Sequence, residues 1–103
     1  MTIQINQNNF NKILIDLLAI PSKTFHEKEK VNHIAAFLKK YCSKCKITIK
    51  NNNLTCSYQK NSNKPTIALI GHTDVVPDHF EPYKKQNNIY GSGASDMQAA
   101  LAV

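Results

Sequence analysis

Two short stretches of this chain hold residue types able to do chemistry together. The first is Gly71-His72-Thr73-Asp74-Val75-Val76-Pro77 and the second is Tyr90-Gly91-Ser92-Gly93-Ala94-Ser95-Asp96-Met97-Gln98. His72 and Asp74 are two residues apart, so on extended backbone their side chains leave the same face. An imidazole beside a carboxylate suits a metal site. One ring nitrogen holds the ion while the other donates to an acceptor that fixes the tautomer. Asp74 could instead handle a proton, and a bare H-x-D also fits a strand end running into a polar turn. Gly91 and Gly93 allow tight backbone ahead of a helix that starts at Ser95 or Asp96 and continues through the Ala-rich end. A phosphate cradle fits poorly, because a dinucleotide fingerprint needs G-x-G-x-x-G, and position 96 is an anionic Asp.

Other reactive residues read as bland. Cys42-Ser43-Lys44-Cys45 has the spacing of a redox pair or half a zinc site, but no second C-x-x-C or His pair follows it. It also falls at a helix end, so Cys42, Cys45 and Cys56 read as buried or incidental thiols. His26 and His33 read as surface or flank residues, and His79 as solvent-facing. The net charge of +6 comes from 13 lysines and no arginine. Nucleic-acid binders favour the bidentate guanidinium, so this surplus indicates solvated helix faces, Lys30 among them, and no nucleic-acid partner.

The elements that must position the two stretches follow from periodicity. Phe10, Ile13, Leu14, Leu17 and Leu18 form an amphipathic stripe that ends before Pro21. Thr24 and Glu27 have the spacing of a capping box, ahead of a second helix with Val31, Ile34, Ala35, Leu38, Tyr41 and Cys42 on one face. Ile47 and Ile49, then Leu54, Cys56 and Tyr58, alternate about Asn51-Asn52-Asn53, which predicts a hairpin. Thr66-Ile67-Ala68-Leu69-Ile70 is apolar throughout, the pattern of a strand buried on both faces. It runs straight into His72, and ligands of α/β sheets sit beyond the carboxyl ends of strands. A chain of 103 residues with 42% hydrophobic content can bury a core. No apolar run reaches the ~18 residues of a membrane span. Met1–Asn6 carries no export pattern, so the expected location is cytoplasmic, without a membrane partner.

Taken together, strand, G-H-T-D-V-V-P, loop and Y-G-S-G-A-S-D-M-Q resemble the zinc-dependent aminoacylase, desuccinylase and acetylornithine deacetylase metallopeptidase family. The resemblance implies an α/β fold, the N-terminal part of a zinc-exopeptidase-like catalytic domain. Its order would be two helices, a β-hairpin, a buried central strand and the start of a further helix. It implies that His72 is a terminal ligand of one zinc, that Asp74 orients His72 in the catalytic centre, and that Asp96 bridges two metals. It also implies a cis Asp96–Met97 peptide, and Asp-Met resembles the deacylase branch. Two zinc ions are expected, cobalt being an alternative, acting on a small N-acyl amino acid or a peptide. Gly91-Ser92-Gly93 stands where the family usually has Gly-Arg-Gly, and Gln98-Ala99 where it often has Lys-Gly. The stretch from Asp78 to Ile89 is short for the family.

The family's glutamate pair and final histidine ligand lie further along its sequence, and Glu27, Glu29 and Glu81 do not form such a pair. Residues 1–103 are therefore expected to be the N-terminal portion of a larger metallohydrolase domain, inactive alone, with dimerisation possible only in the intact protein. The rival expectations are a non-catalytic binding or structural domain of the same origin, and a basic nucleic-acid-binding module.

Overall fold

The computed structural model describes residues 6–103; the export-signal reading of Met1–Asn6 rests mainly on residues outside the described ones. Helix α1, Gln7–Leu18, starts where the Asn6 side chain accepts a hydrogen bond from the Asn9 backbone at 2.8 Å, satisfying one of the donors a helix start leaves free. Its stripe is buried at Leu14, Leu17 and Leu18, with Phe10 and Ile13 packed beside them. The other half of this core comes from the far end of the chain: Ala94, Ala99, Leu101 and Ala102. The first and last helices are therefore neighbours, and residues 91–102 are seated on α1.

Helix α2, Lys28–Tyr41, buries Val31 and Ala35 and packs on the hairpin of β1, Lys46–Lys50, and β2, Asn53–Ser57. Asn51 and Asn52 sit at φ +50° and +62°. Two positive-φ residues between antiparallel strands make the turn whose twist matches the hairpin, which Asn tolerates better than most residues. The hairpin reading thus holds, as do both helices.

Three expectations are corrected, and one hairpin is added. Thr66–Ile70 is not a strand among the described residues, and Ile67, Leu69 and Ile70 are 87%, 96% and 90% exposed. A strand apolar on both faces needs a neighbour at each edge and a layer over each face. Here β1 pairs only with β2, and β3 (Tyr83–Lys85) only with β4 (Asn88–Tyr90). Partners for 66–70 are absent among the described residues. The fold is α/β in the sense of mixed helix and strand. The β3–β4 hairpin is itself unforeseen, a three-residue pairing hidden in a polar stretch, with Gln86 at φ +55° in its turn. The capping box does not form. Glu27 accepts from the Phe25 backbone at 2.8 Å, and the Thr24 hydroxyl is engaged elsewhere. Finally, Lys30 does not lie on a solvated face: it is fully buried, and its ammonium has no hydrogen-bond partner among the described residues. No helix of the described residues is long and apolar enough to cross a membrane.

Burial without a partner disfavours the charged form of Lys30 and lowers its pKa from 10.5 to about 8. Between those values the unfolded chain binds the extra proton, so stability rises with pH from about 8 to 10.5. Lys30→Met should raise stability at neutral pH by about 1–3 kcal/mol, the cost of an unsatisfied buried donor. The difference from wild type should shrink as pH climbs through that window. Urea unfolding of both proteins across pH checks this, and a variant less stable than wild type at neutral pH would contradict it.

Candidate metal and catalytic site

The segment between the helices lies alongside the His72 segment. The Val75 backbone donates to the Ser22 carbonyl at 2.8 Å, and Lys23 and Val75 form a parallel β-bridge. The Ser22 hydroxyl, buried, donates to the Thr73 carbonyl at 2.8 Å. Buried Gln98 donates its amide to the same carbonyl at 3.3 Å, its own oxygen having no partner among the described residues. The peptide oxygen between His72 and Asp74 is thus gripped from two elements. Beside it, the Thr24 hydroxyl donates to Asp74 Oδ2 at 2.7 Å across 50 residues of sequence.

Asp74 passes that restraint on. His72 Nδ1 lies 3.1 Å from Asp74 Oδ1 and 3.2 Å from the Asp74 carbonyl. On the other side of the ring, His72 Nε2 lies 3.1 Å from Asp96 Oδ1. The imidazole is thereby held between two carboxylates, all three residues sharing one exposed face, where the Asp96 side chain is 86% exposed. Desolvation, the largest contribution, lowers the His72 pKa. The hydrogen bonds and charges of Asp74 and Asp96 outweigh it and leave the pKa above its ordinary value. The Thr24 hydroxyl, before any other cause, holds the Asp74 carboxyl below the usual carboxylate range, and the charge of His72 adds to this.

Asp96 reaches the ring because the chain departs from helix there. Residues Ala94–Gln98 make one wide turn in which Asp96 (φ −128°, ψ 87°) and Met97 (φ −131°, ψ 34°) are non-helical. Helix α3, Ala99–Ala102, follows. The Asp96–Met97 peptide is cis. The Met97 side chain lies against Gly71, and its sulfur accepts from the His72 backbone at 3.2 Å. Met97 therefore ties the second stretch to the first.

No family model matches the chain. Curated relatives do. Over 96 residues it is 30% identical to the succinyl-diaminopimelate desuccinylase of Bordetella avium (strain 197N), covering 84% of this chain and 26% of that protein. It is 33% identical over 96 residues to that of Wolbachia pipientis subsp. Culex pipiens (strain wPip), covering 84% of this chain and 24% of that protein. It is 32% identical over 108 residues to that of Rickettsia typhi (strain ATCC VR-144 / Wilmington), covering 90% and 28%. Over these residues the chain belongs to the succinyl-diaminopimelate desuccinylase family. It spans about a quarter of the length of these curated relatives.

His72, Asp74 and Asp96 converge through the imidazole, and among the described residues no group of three or more His, Cys, Asp or Glu side chains is arranged to hold a metal ion. His26 and His33 stand outside the cluster. His79, expected in solvent, has a side chain only 20% exposed and lies 3.4 Å from Glu81. It shares a shallow depression with Ser22, Val75 and Pro77. Sequence reasoning missed Ser22, Thr24 and Gln98. Thr24 has the spacing of a helix-start residue, and no local signal pairs residues 50 apart. Ser92 is buried; its hydroxyl donates to the Asp78 carbonyl at 2.6 Å and accepts from the Phe80 backbone. It anchors the Asp78–Phe80 stretch.

Gly93 is the backbone hinge of this arrangement. It sits at φ +78°, and a Cβ there would meet the buried Val75 side chain. Gly93→Ala should cost about 1–2 kcal/mol for the left-handed backbone alone, plus the displacement of Val75. Denaturant unfolding reads this directly, and an unchanged midpoint would show that the 91–98 turn is not packed on Val75.

Proposed function

We propose that the intact protein to which these residues belong is a metal-dependent amidohydrolase that removes an acyl group from an N-acyl amino acid. The substrate class inferred from its relatives' names is succinyl-diaminopimelate. The observation that carries the reading is the His72 ring lying 3.1 Å from a carboxylate oxygen on each side.

The donors suit zinc, or cobalt in its place. With the ring proton on Nδ1, donated to Asp74, the Nε2 lone pair faces the Asp96 carboxylate. Two acceptors in contact repel unless a proton or a cation lies between them. A neutral imidazole and a carboxylate are also ordinary zinc ligands. His72 and Asp96 would hold the metal and Asp74 would orient His72, with Asp96 available to two ions. When bound, zinc supplies a polarised carbonyl and an acidified water.

The chain's own residues do the preparatory work. Asp74 keeps the proton on Nδ1, so Nε2 remains a ligand. Thr24 occupies the other Asp74 oxygen and fixes the rotamer of its carboxylate. Ser22 and Gln98 fix the backbone between the two. The general base is to be supplied by the part of the family's length that this chain does not span. Glu27 is taken up by the Phe25 backbone and Asn52, and Glu81 by His79.

The test is succinate release from succinyl-diaminopimelate by the intact protein with zinc. Asp96→Ala should abolish turnover and weaken metal binding. Thr24→Val should reduce activity roughly tenfold, as a residue supporting a ligand through its partner does. Wild-type turnover by Asp96→Ala would overturn the reading. Zinc-dependent succinate release by the 103 residues alone would show that the base lies within them.

A further inference from the structure

Met97 is the one methionine of the described residues, and it stands where the two chemical stretches touch. Its thioether takes the space that a side chain at position 71 would need. A Cβ on Gly71 would lie 2.7 Å from the Met97 methyl, 3.2 Å from its sulfur and 3.2 Å from the Leu101 side chain. The sulfur accepts the His72 backbone N–H at 3.2 Å, across 25 residues of sequence. The preceding residue, Asp96, reaches the same histidine through the ring, 3.1 Å from Nε2. Two consecutive residues, 96 and 97, thus hold both the backbone and the imidazole of His72. Met97 is half-buried, while Gly71 and His72 are exposed, so the contact lies near the surface, within reach of a small solute. A thioether is a soft, weak acceptor whose chemistry is oxidation.

We propose that Met97 is an oxidative modification site, at which hydrogen peroxide converts the thioether to a sulfoxide, breaks the tie to His72 and draws Asp96 away from the ring. A sulfur lone pair attacks one peroxide oxygen, so an S–O bond forms and the O–O bond breaks. The proton of the transferred hydroxyl passes to the departing hydroxide, which leaves as water. Sulfur gives up two electrons and the peroxide takes them. The product does not fit the present contact. An oxygen on the lone pair facing His72 needs about 2.7–3.2 Å of its own to the nitrogen. The 3.2 Å between sulfur and nitrogen already takes that whole distance. An oxygen on the other lone pair enlarges a group that already packs on Gly71 beside Leu101, and overfilling a packed site forces its side chains apart. Either way the side chain swings out, and Asp96, one peptide away, moves with it. The inference concerns the placing of the His72–Asp96 pair and holds whatever that pair binds.

The experiment uses the full 103-residue chain, its three free cysteines alkylated beforehand. The folded chain is treated with dilute hydrogen peroxide, and a portion is digested with trypsin and mapped by mass spectrometry. Cleavage after Lys85 yields residues 86–103, with Met97 the one methionine among them, and leaves Met1 on a separate peptide. The expected product is the 86–103 peptide heavier by one oxygen. In the same sample the His72 backbone amide and Nε2 resonances should move, and the urea unfolding midpoint should fall. Reduction by the two methionine sulfoxide reductases, one for each sulfoxide epimer, should restore all three. Met97→Leu keeps an apolar side chain of similar volume without the sulfur, and peroxide should leave its His72 resonances in place. The unvaried chain reads the effect even if that variant folds poorly. Oxidation of Met97 only after unfolding in urea, a Met97 sulfoxide with unmoved His72 resonances, or the same peroxide shift in Met97→Leu would each overturn the proposal.

Discussion

The organising constraint is the short parallel contact between Ser22–Thr24 and Thr73–Val75. One backbone hydrogen bond, one serine hydroxyl and one threonine hydroxyl, each at 2.7–2.8 Å, join segments about fifty residues apart. Each bond adds only about 1 kcal/mol net, yet together they set the position of a peptide carbonyl and of a carboxylate. His72 follows, because its ring reads the position of Asp74. Without that contact the H-x-D unit would be a flexible polar turn at the end of an exposed apolar run.

The hydrophobic core serves the same end from below. Leu18 of α1 is buried, and Gly91 comes so close to it that a Cβ there would meet the Leu18 side chain. Residues 91–102 are thus pressed onto α1 at one end and, through Met97, against Gly71 at the other. The result carries Asp96 to the far side of the imidazole. Packing supplies the coarse approach and polar contacts the final geometry.

The sequence exposes local causes better than distant ones. The α1 stripe, α2 and the Asn51–Asn52 hairpin were legible because each depends on periodicity or turn chemistry within a dozen residues. His72, Asp74 and Asp96 were legible by type and by family resemblance, and the structure brings them together. Thr24 was not, because a threonine three residues before a glutamate has a plausible local partner, and its actual partner lies 50 residues away. Lys30 was misplaced because a lysine within a helix reads as solvated unless the neighbours closing over it are known. Thr66–Ile70 has the residues of a central strand, but a strand is defined by its neighbours, and none of the described residues pairs with it.

The central claim is that His72 and Asp96 form a prearranged cation-binding pair held by Asp74 and the Ser22–Thr24 contact. The most direct measurement is a zinc titration of the chain, with its cysteines blocked by alkylation, followed through the imidazole nitrogen resonances of its four histidines. The account predicts that the His72 Nε2 resonance moves first and that Nδ1 keeps its proton, while His26, His33 and His79 lag behind. Equal response of all four, or binding through His72 Nδ1, would contradict it.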